Sequence, residues 1–193
     1  MAAKDITDLS YAELMKHAHL FSGIPKDKKL IDINEFNKFQ KHDMRINVLD
    51  WDTIFDDYFK YILMLRFSKK DKDVKKLFEP SIGGPLVSLI HKARLAYALK
   101  IIDKTALNDF ENIHNIRNKF AHNAEMNFDN TEVLKLVKKL STAKGKKVTA
   151  KNSYECFSSV TSKCVKCLKE ASQQEFYRLA AIKSLKEQEA KGD

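Results

Sequence analysis

From about Val48 to Phe67 the apolar side chains Trp51, Phe55, Tyr58, Phe59 and Ile62 recur at intervals of three and four, the period of an α-helix. Ile54, Tyr61, Leu63, Met64 and Leu65 fill its other sides, so this helix is predicted to lie at the centre of the fold. The same period recurs elsewhere. Ser10 and Glu13 form a capping box ahead of Leu14, Ala18 and Phe21, a loop follows at 22–29, and residues 32–43 offer one short helix. After the polar break at 68–73 comes a turn or two ending before Pro80, then the loop-like SIGGPL, with Pro85 predicted as the first residue of a helix through Leu86, Leu89, Ile90, Ala93 and Leu95. Asp103 and Thr105 start another helix running to about Ala121. Asn130 or Thr131 caps one that carries Val133, Leu136, Val137 and Leu140 inward. The stretch TAKGKKVTAK is expected to be a mobile basic linker. Beyond it, one long helix runs through Phe157, Val160, Cys164, Leu168 and Ala171 to Leu179 and Ile182.

No strand-like alternation interrupts this pattern, so the fold class is all-α, a single compact bundle of about five to seven helices with a long C-terminal helix. Three segments are expected: 1–30 as an N-terminal helix and arm, 31–143 as the core helical domain, and 144–193 as the basic linker and C-terminal helix. With five Gly and three Pro in 193 residues, turn material is scarce, which agrees with helices rather than β-structure. No apolar run approaches twenty residues, so no membrane span is expected. The opening MAAKDITDLS has no apolar signal core, which points to the cytoplasm.

Formal net charge is +9, which admits DNA or RNA as a partner. Lysines are scattered among acids along most of the chain and concentrate at 26–29, 69–76 and 138–147. The three cysteines, Cys156, Cys164 and Cys167, lie on one predicted helix and read as small apolar residues of a reduced protein. CVKC lacks the second pair a zinc site needs. GGP is not followed by the Lys-Ser/Thr of a phosphate loop. No metal or cofactor is expected. The Phe157–Cys164–Leu168–Ala171 face of the last helix is a candidate homodimer surface.

The chemistry concentrates in NIRNKFAHN, residues 115–123, where Arg117 precedes His122 by five positions with Asn118 between them. On an unbroken helix, residues five apart point about 140° away from each other, so joint action needs a helix end near Ala121 or a second protomer. Leu107, Phe110, Ile113, Phe120 and Ala121 define the inward stripe, and Arg117 falls near its middle. A guanidinium there needs a carboxylate, and Asp52, Asp56 and Asp57 on the central helix are the candidates. Two roles follow. In one, Arg117 is a structural clamp and His122 a cation at a helix C-terminus. In the other, Arg117 binds phosphate and His122 is a general acid or base in RNA cleavage, with Asn118 beside them.

The stretch from Phe78 to Phe128 resembles the bacterial mannitol operon repressor family. It carries an FEP turn at Phe78–Pro80, a GPL start at Gly84–Leu86, an R-L-x-Y-x-L-x-I run from Arg94 to Ile101 with its Ile102–Asp103 turn, and an acidic helix from Asp109 that ends in R-x₄-H at His122. The resemblance implies an all-helical, non-enzymatic regulator that lowers expression of a sugar-alcohol uptake operon. That family lacks an evident DNA-reading motif and none is found here, so a protein partner is implied as much as operator contact. The R-N-x-x-A-H element also resembles HEPN-class helical domains, some of which are dimeric ribonucleases. That likeness implies Arg117, Asn118 and His122 as the catalytic set. The tyrosine often found two positions after that histidine is here Ala124.

Overall fold

A computed structural model describes residues 44–67 and 72–192. The predicted capping box at Ser10, the loop at 22–29, the short helix in 32–43 and the lysines at 26–29 lie outside the described residues. Within them the chain is all helical, with no strand: α1 (Met44–Phe67), α2 (Lys72–Lys76), α3 (Leu89–Ala98), α4 (Lys104–His122), α5 (Thr131–Val137) and α6 (Ser153–Gly192), with short 3₁₀ turns at Pro80–Ile82 and Ser141–Ala143. None of these helices is long and apolar enough to cross a membrane.

The nearly all-round apolar helix takes the central place that its pattern predicts. Packed on α3, α4 and α6, α1 buries Val48, Trp51, Phe55, Tyr58, Phe59, Ile62, Leu63 and Leu65. Its aromatic run is core. Trp51 stacks on Phe55 at 5.3 Å between ring centroids, and Phe55 and Phe59 both form T-shaped pairs with Phe110 on α4, at 5.1 and 4.8 Å. A second, smaller cluster of Leu63, Phe78 and Leu86 closes the far end of α1 beneath the turn after α2. Gly84 belongs to that turn because of close approach: a Cβ there would sit 2.6 Å from the Leu77 carbonyl oxygen.

The helix limits follow from local hydrogen bonds. Asp103 accepts from the Ala106 N–H at 2.7 Å and Asn130 from the Glu132 N–H at 2.8 Å, as N-caps. Pro85 does not start α3. Ser88, in extended conformation, accepts from the His91 N–H at 3.3 Å, so α3 begins at Leu89, and the Leu86 N–H is held instead by the Leu77 carbonyl. α5 stops at Val137, short of Leu140, although Leu140 is still buried.

Two expectations are corrected at the C-terminal side. The stretch 144–152 is a packed connection and not a mobile linker: Ala143 and Val148 are buried, and the Asn152 side chain accepts from the Thr149 N–H and donates to the Lys147 carbonyl. The face Phe157–Cys164–Leu168–Ala171 is covered by the chain's own core, so it offers nothing to a second subunit. The far part of α6 is tied to α1 by charge. Arg178 donates to the carbonyls of Leu65 and Arg66, which are orphan acceptors at the end of α1, and to Glu175 at 2.6 Å.

Candidate functional site

α4 runs without a break through both Arg117 and His122 and ends at Asn123, whose carbonyl accepts from Arg45 at 2.7 Å. The cation that bonds this helix end is therefore Arg45, contributed by the first turn of α1. His122 is solvent-exposed, and no hydrogen bond or ion pair joins it to Arg117 among the described residues. The helix keeps the two side chains on different faces, as the angular count requires.

Arg117 does not lie in the middle of the buried stripe. Its side chain is 35% exposed. Ile116, 100° away around the helix, is fully buried with Leu107, Phe110, Ile113 and Phe120.

What the helix pair α1–α4 does assemble is a polar ring. Both Asp52 carboxylate oxygens lie within hydrogen-bond distance of His114 Nδ1, at 2.8 and 3.0 Å. His114 Nε2 lies 3.0 Å from the Asn118 amide nitrogen, and the Asn118 oxygen accepts from an Arg117 Nη1 at 3.3 Å. The Arg117 Nε returns to Asp52 at 3.9 Å, close enough for ion pairing but without a hydrogen bond. One assignment satisfies the histidine: Nδ1–H donates to Asp52 and Nε2 accepts from Asn118. Both ring nitrogens are then engaged, and the imidazole has no lone pair facing solvent.

The other two candidate carboxylates do other things. Asp56 accepts from the Lys92 ammonium at 2.5 Å. Lys92 is only 2% exposed and also donates to the Val87 carbonyl at 3.0 Å. Burial raises the Asp56 carboxyl above its ordinary range, while the Lys92 hydrogen bond pulls it down. Asp57, half-buried, adds to that rise through its charge.

The sequence pattern assigned His114 no role and gave no sign that Lys92 and Asp109 are buried. The i,i+4 spacing of His114 from Asn118 was the available signal. Lys92 sat in an ordinary amphipathic pattern that gave no sign of burial. The second of them, Asp109, is 2% exposed and holds the 3₁₀ turn after α5 by accepting from the Ser141 N–H at 2.8 Å and hydroxyl at 2.5 Å. Cys164 and the half-buried Cys167 face the core beside it, and burial pushes both thiols up. No grouping of three or more His, Cys, Asp or Glu suited to a metal occurs among the described residues.

The family profile described as "Mannitol repressor" matches residues 32–186. The chain belongs to the mannitol repressor family. No curated protein and no solved structure matches it. The span shared with the mannitol repressor family takes in α1 to α5 and most of α6, and so includes the Asp52 ring, the Asp56–Lys92 pair and the lysine-bearing connection between α5 and α6.

Proposed function

We propose that this member of the mannitol repressor family is a non-enzymatic cytoplasmic regulator that lowers expression of a sugar-alcohol uptake operon, acting through a protein partner or weak contact with DNA. The observation that carries the non-enzymatic half is the ring itself. Arg117, Asn118 and His114 are hydrogen-bonded into a link between α1 and α4, with Asp52 as its anchor, and His122 stands outside it. His122, the candidate base, makes no hydrogen bond or ion pair with Arg117 or Asn118 among the described residues, so one chain does not bring the three together as a catalytic set.

The test is operon transcript level in cells with and without the gene, complemented by wild type, Arg117→Ala and His122→Ala. Repression that survives His122→Ala supports the regulator. Unchanged transcript on loss of the gene sinks it.

A second reading, an endoribonuclease using Arg117, Asn118 and His122 from paired protomers, is favoured by one feature. The Arg117 side chain is a third exposed, as a phosphate-binding cation would be. RNA cleavage by wild type that is lost in a folded His122→Ala variant would bring this reading forward.

A further inference from the structure

The chain's positive charge is concentrated on one short ridge. Between Glu132 and Glu155 lie seven lysines and no Asp or Glu, against a net charge of +9 for the whole chain, so the remainder is nearly balanced. All seven are exposed, and none forms an ion pair among the described residues. Glu132, the flanking acid on the N-terminal side, is engaged by Lys119.

The ridge is held in shape. Val137, Leu140, Ala143 and Val148 are buried beneath it, Asp109 holds Ser141 through its N–H and hydroxyl, and Asn152 clamps Thr149 and the Lys147 carbonyl. Lys139 and Lys144 border the same small notch beside Ser141, and Lys163 of α6 reaches the Ser141 hydroxyl at 2.8 Å. Gly145, at φ +74°, makes the reversal between Lys144 and Lys146, a backbone conformation that suits glycine. A row of like charges on an ordered backbone repels itself, and a polyanion relieves that repulsion.

We propose that this α5–α6 ridge is a docking surface for the phosphate backbone of double-stranded DNA. The inference rests on the regulator reading and names its contact surface. Three observations select this partner. The stretch holds no arginine, so bidentate reading of guanine is absent, and lysine fits phosphates as a point charge. Its one aromatic, Tyr154, is half-buried against Phe128, so no stacking platform for single strands is presented. The exposed large apolar side chains, such as Met44, Ile82 and Tyr177, all lie outside the ridge, so it has nothing to insert into a membrane surface. Such contacts position a protein on a duplex without reading sequence, so operator choice falls to a partner.

The experiment measures binding of a fluorescent DNA duplex of arbitrary sequence to the full chain across a salt series. It compares wild type with Lys138, Lys139, Lys144, Lys146 and Lys147 all changed to Gln, and with all five changed to Arg. A control changes Lys60, Lys75, Lys76, Lys169 and Lys186 to Gln, exposed positions on other parts of the surface. The expected result is salt-dependent binding by wild type, with the slope of log K against log salt reduced by roughly four in the ridge Gln set. The Arg set keeps its slope, and the control keeps most of it. The inference is overturned if wild type binds no duplex at low salt, if the control loses as much as the ridge set, or if vesicles containing anionic lipid are bound and the duplex is not. Transcript measurements in the same variants separate the two failures. Absent DNA binding with intact repression overturns the ridge alone, and absent repression in wild type overturns the regulator reading.

Discussion

Asp52 and Asp56 stand one helical turn apart on α1, and each ties that helix to a neighbour, but the two junctions are built differently. Asp56 meets a single lysine on α3 that is almost wholly withdrawn from water. Asp52 meets a relay of three side chains on α4, of which His114 is 25% and Arg117 35% exposed. Once its carboxylate is removed, the buried Lys92 ammonium keeps only the Val87 carbonyl and an unbalanced charge, whereas a part-exposed ring can hand its groups to water. The depth of the cation, more than the number of hydrogen bonds drawn, decides how much a junction holds.

The largest expected effect is therefore at Asp56. Asp56→Ala leaves Lys92 buried and uncompensated, at a cost of about 3 kcal/mol of folding stability measured by urea unfolding. Replacing both partners, Asp56→Ala with Lys92→Met, should recover most of that loss, and the double-mutant cycle completed by Lys92→Met alone isolates the pair. If Asp56→Ala costs no more than Asp52→Ala, the comparison fails.

Asp52→Ala comes next, at about 2 kcal/mol, because it removes the acceptor for His114 and the ion-pair partner of Arg117 together. Tyr58 gives a third gauge of α1. Burial pushes its hydroxyl up to about 12 from an ordinary value of 10. The folded chain thus holds this proton longer than the unfolded one, so the stability tied to it is complete below pH 10 and falls as pH rises from 10 toward 12. Compared with Tyr58→Phe, the wild type should lose about 1 kcal/mol more on going from pH 9 to pH 11, read by denaturant midpoints. The smallest effects belong to the motif that drew the eye first. Arg117→Ala should cost less than about 1 kcal/mol. His122→Ala, at an exposed position without a bonded partner among the described residues, should stay within about 0.5 kcal/mol of wild type.

That inversion shows what could be seen in the sequence. Helix positions and the central place of α1 were legible because burial imposes a period, and N-caps such as Asp103 and Asn130 because they satisfy backbone N–H groups next to them in the chain. The partner of Arg117 could be narrowed to three aspartates on α1 but not chosen, since a one-turn shift between two helices exchanges Asp52 for Asp56. Lys92 and Asp109 were invisible. A buried charge in an amphipathic helix has the same local pattern as an exposed one, and only its distant partner tells them apart. The connection at 144–152 looked like a linker because lysine, glycine and threonine are common in linkers. Two buried side chains, Ala143 and Val148, and one asparagine clamp are enough to fix it.

The contact between α1 and α6 bears on how the chain is made. Arg178 reaches back to Leu65 across 113 positions, and the helix that completes the burial of α1 leaves the ribosome after the other five described helices. At ordinary synthesis rates that is a delay of roughly 5 to 20 seconds between the emergence of an apolar helix and the arrival of its cover. For that interval the nascent chain presents Phe55, Phe59 and Ile62 incompletely shielded, a natural target for chaperones that bind apolar segments. A ribosome that stops before α6 releases a product that cannot close its own core.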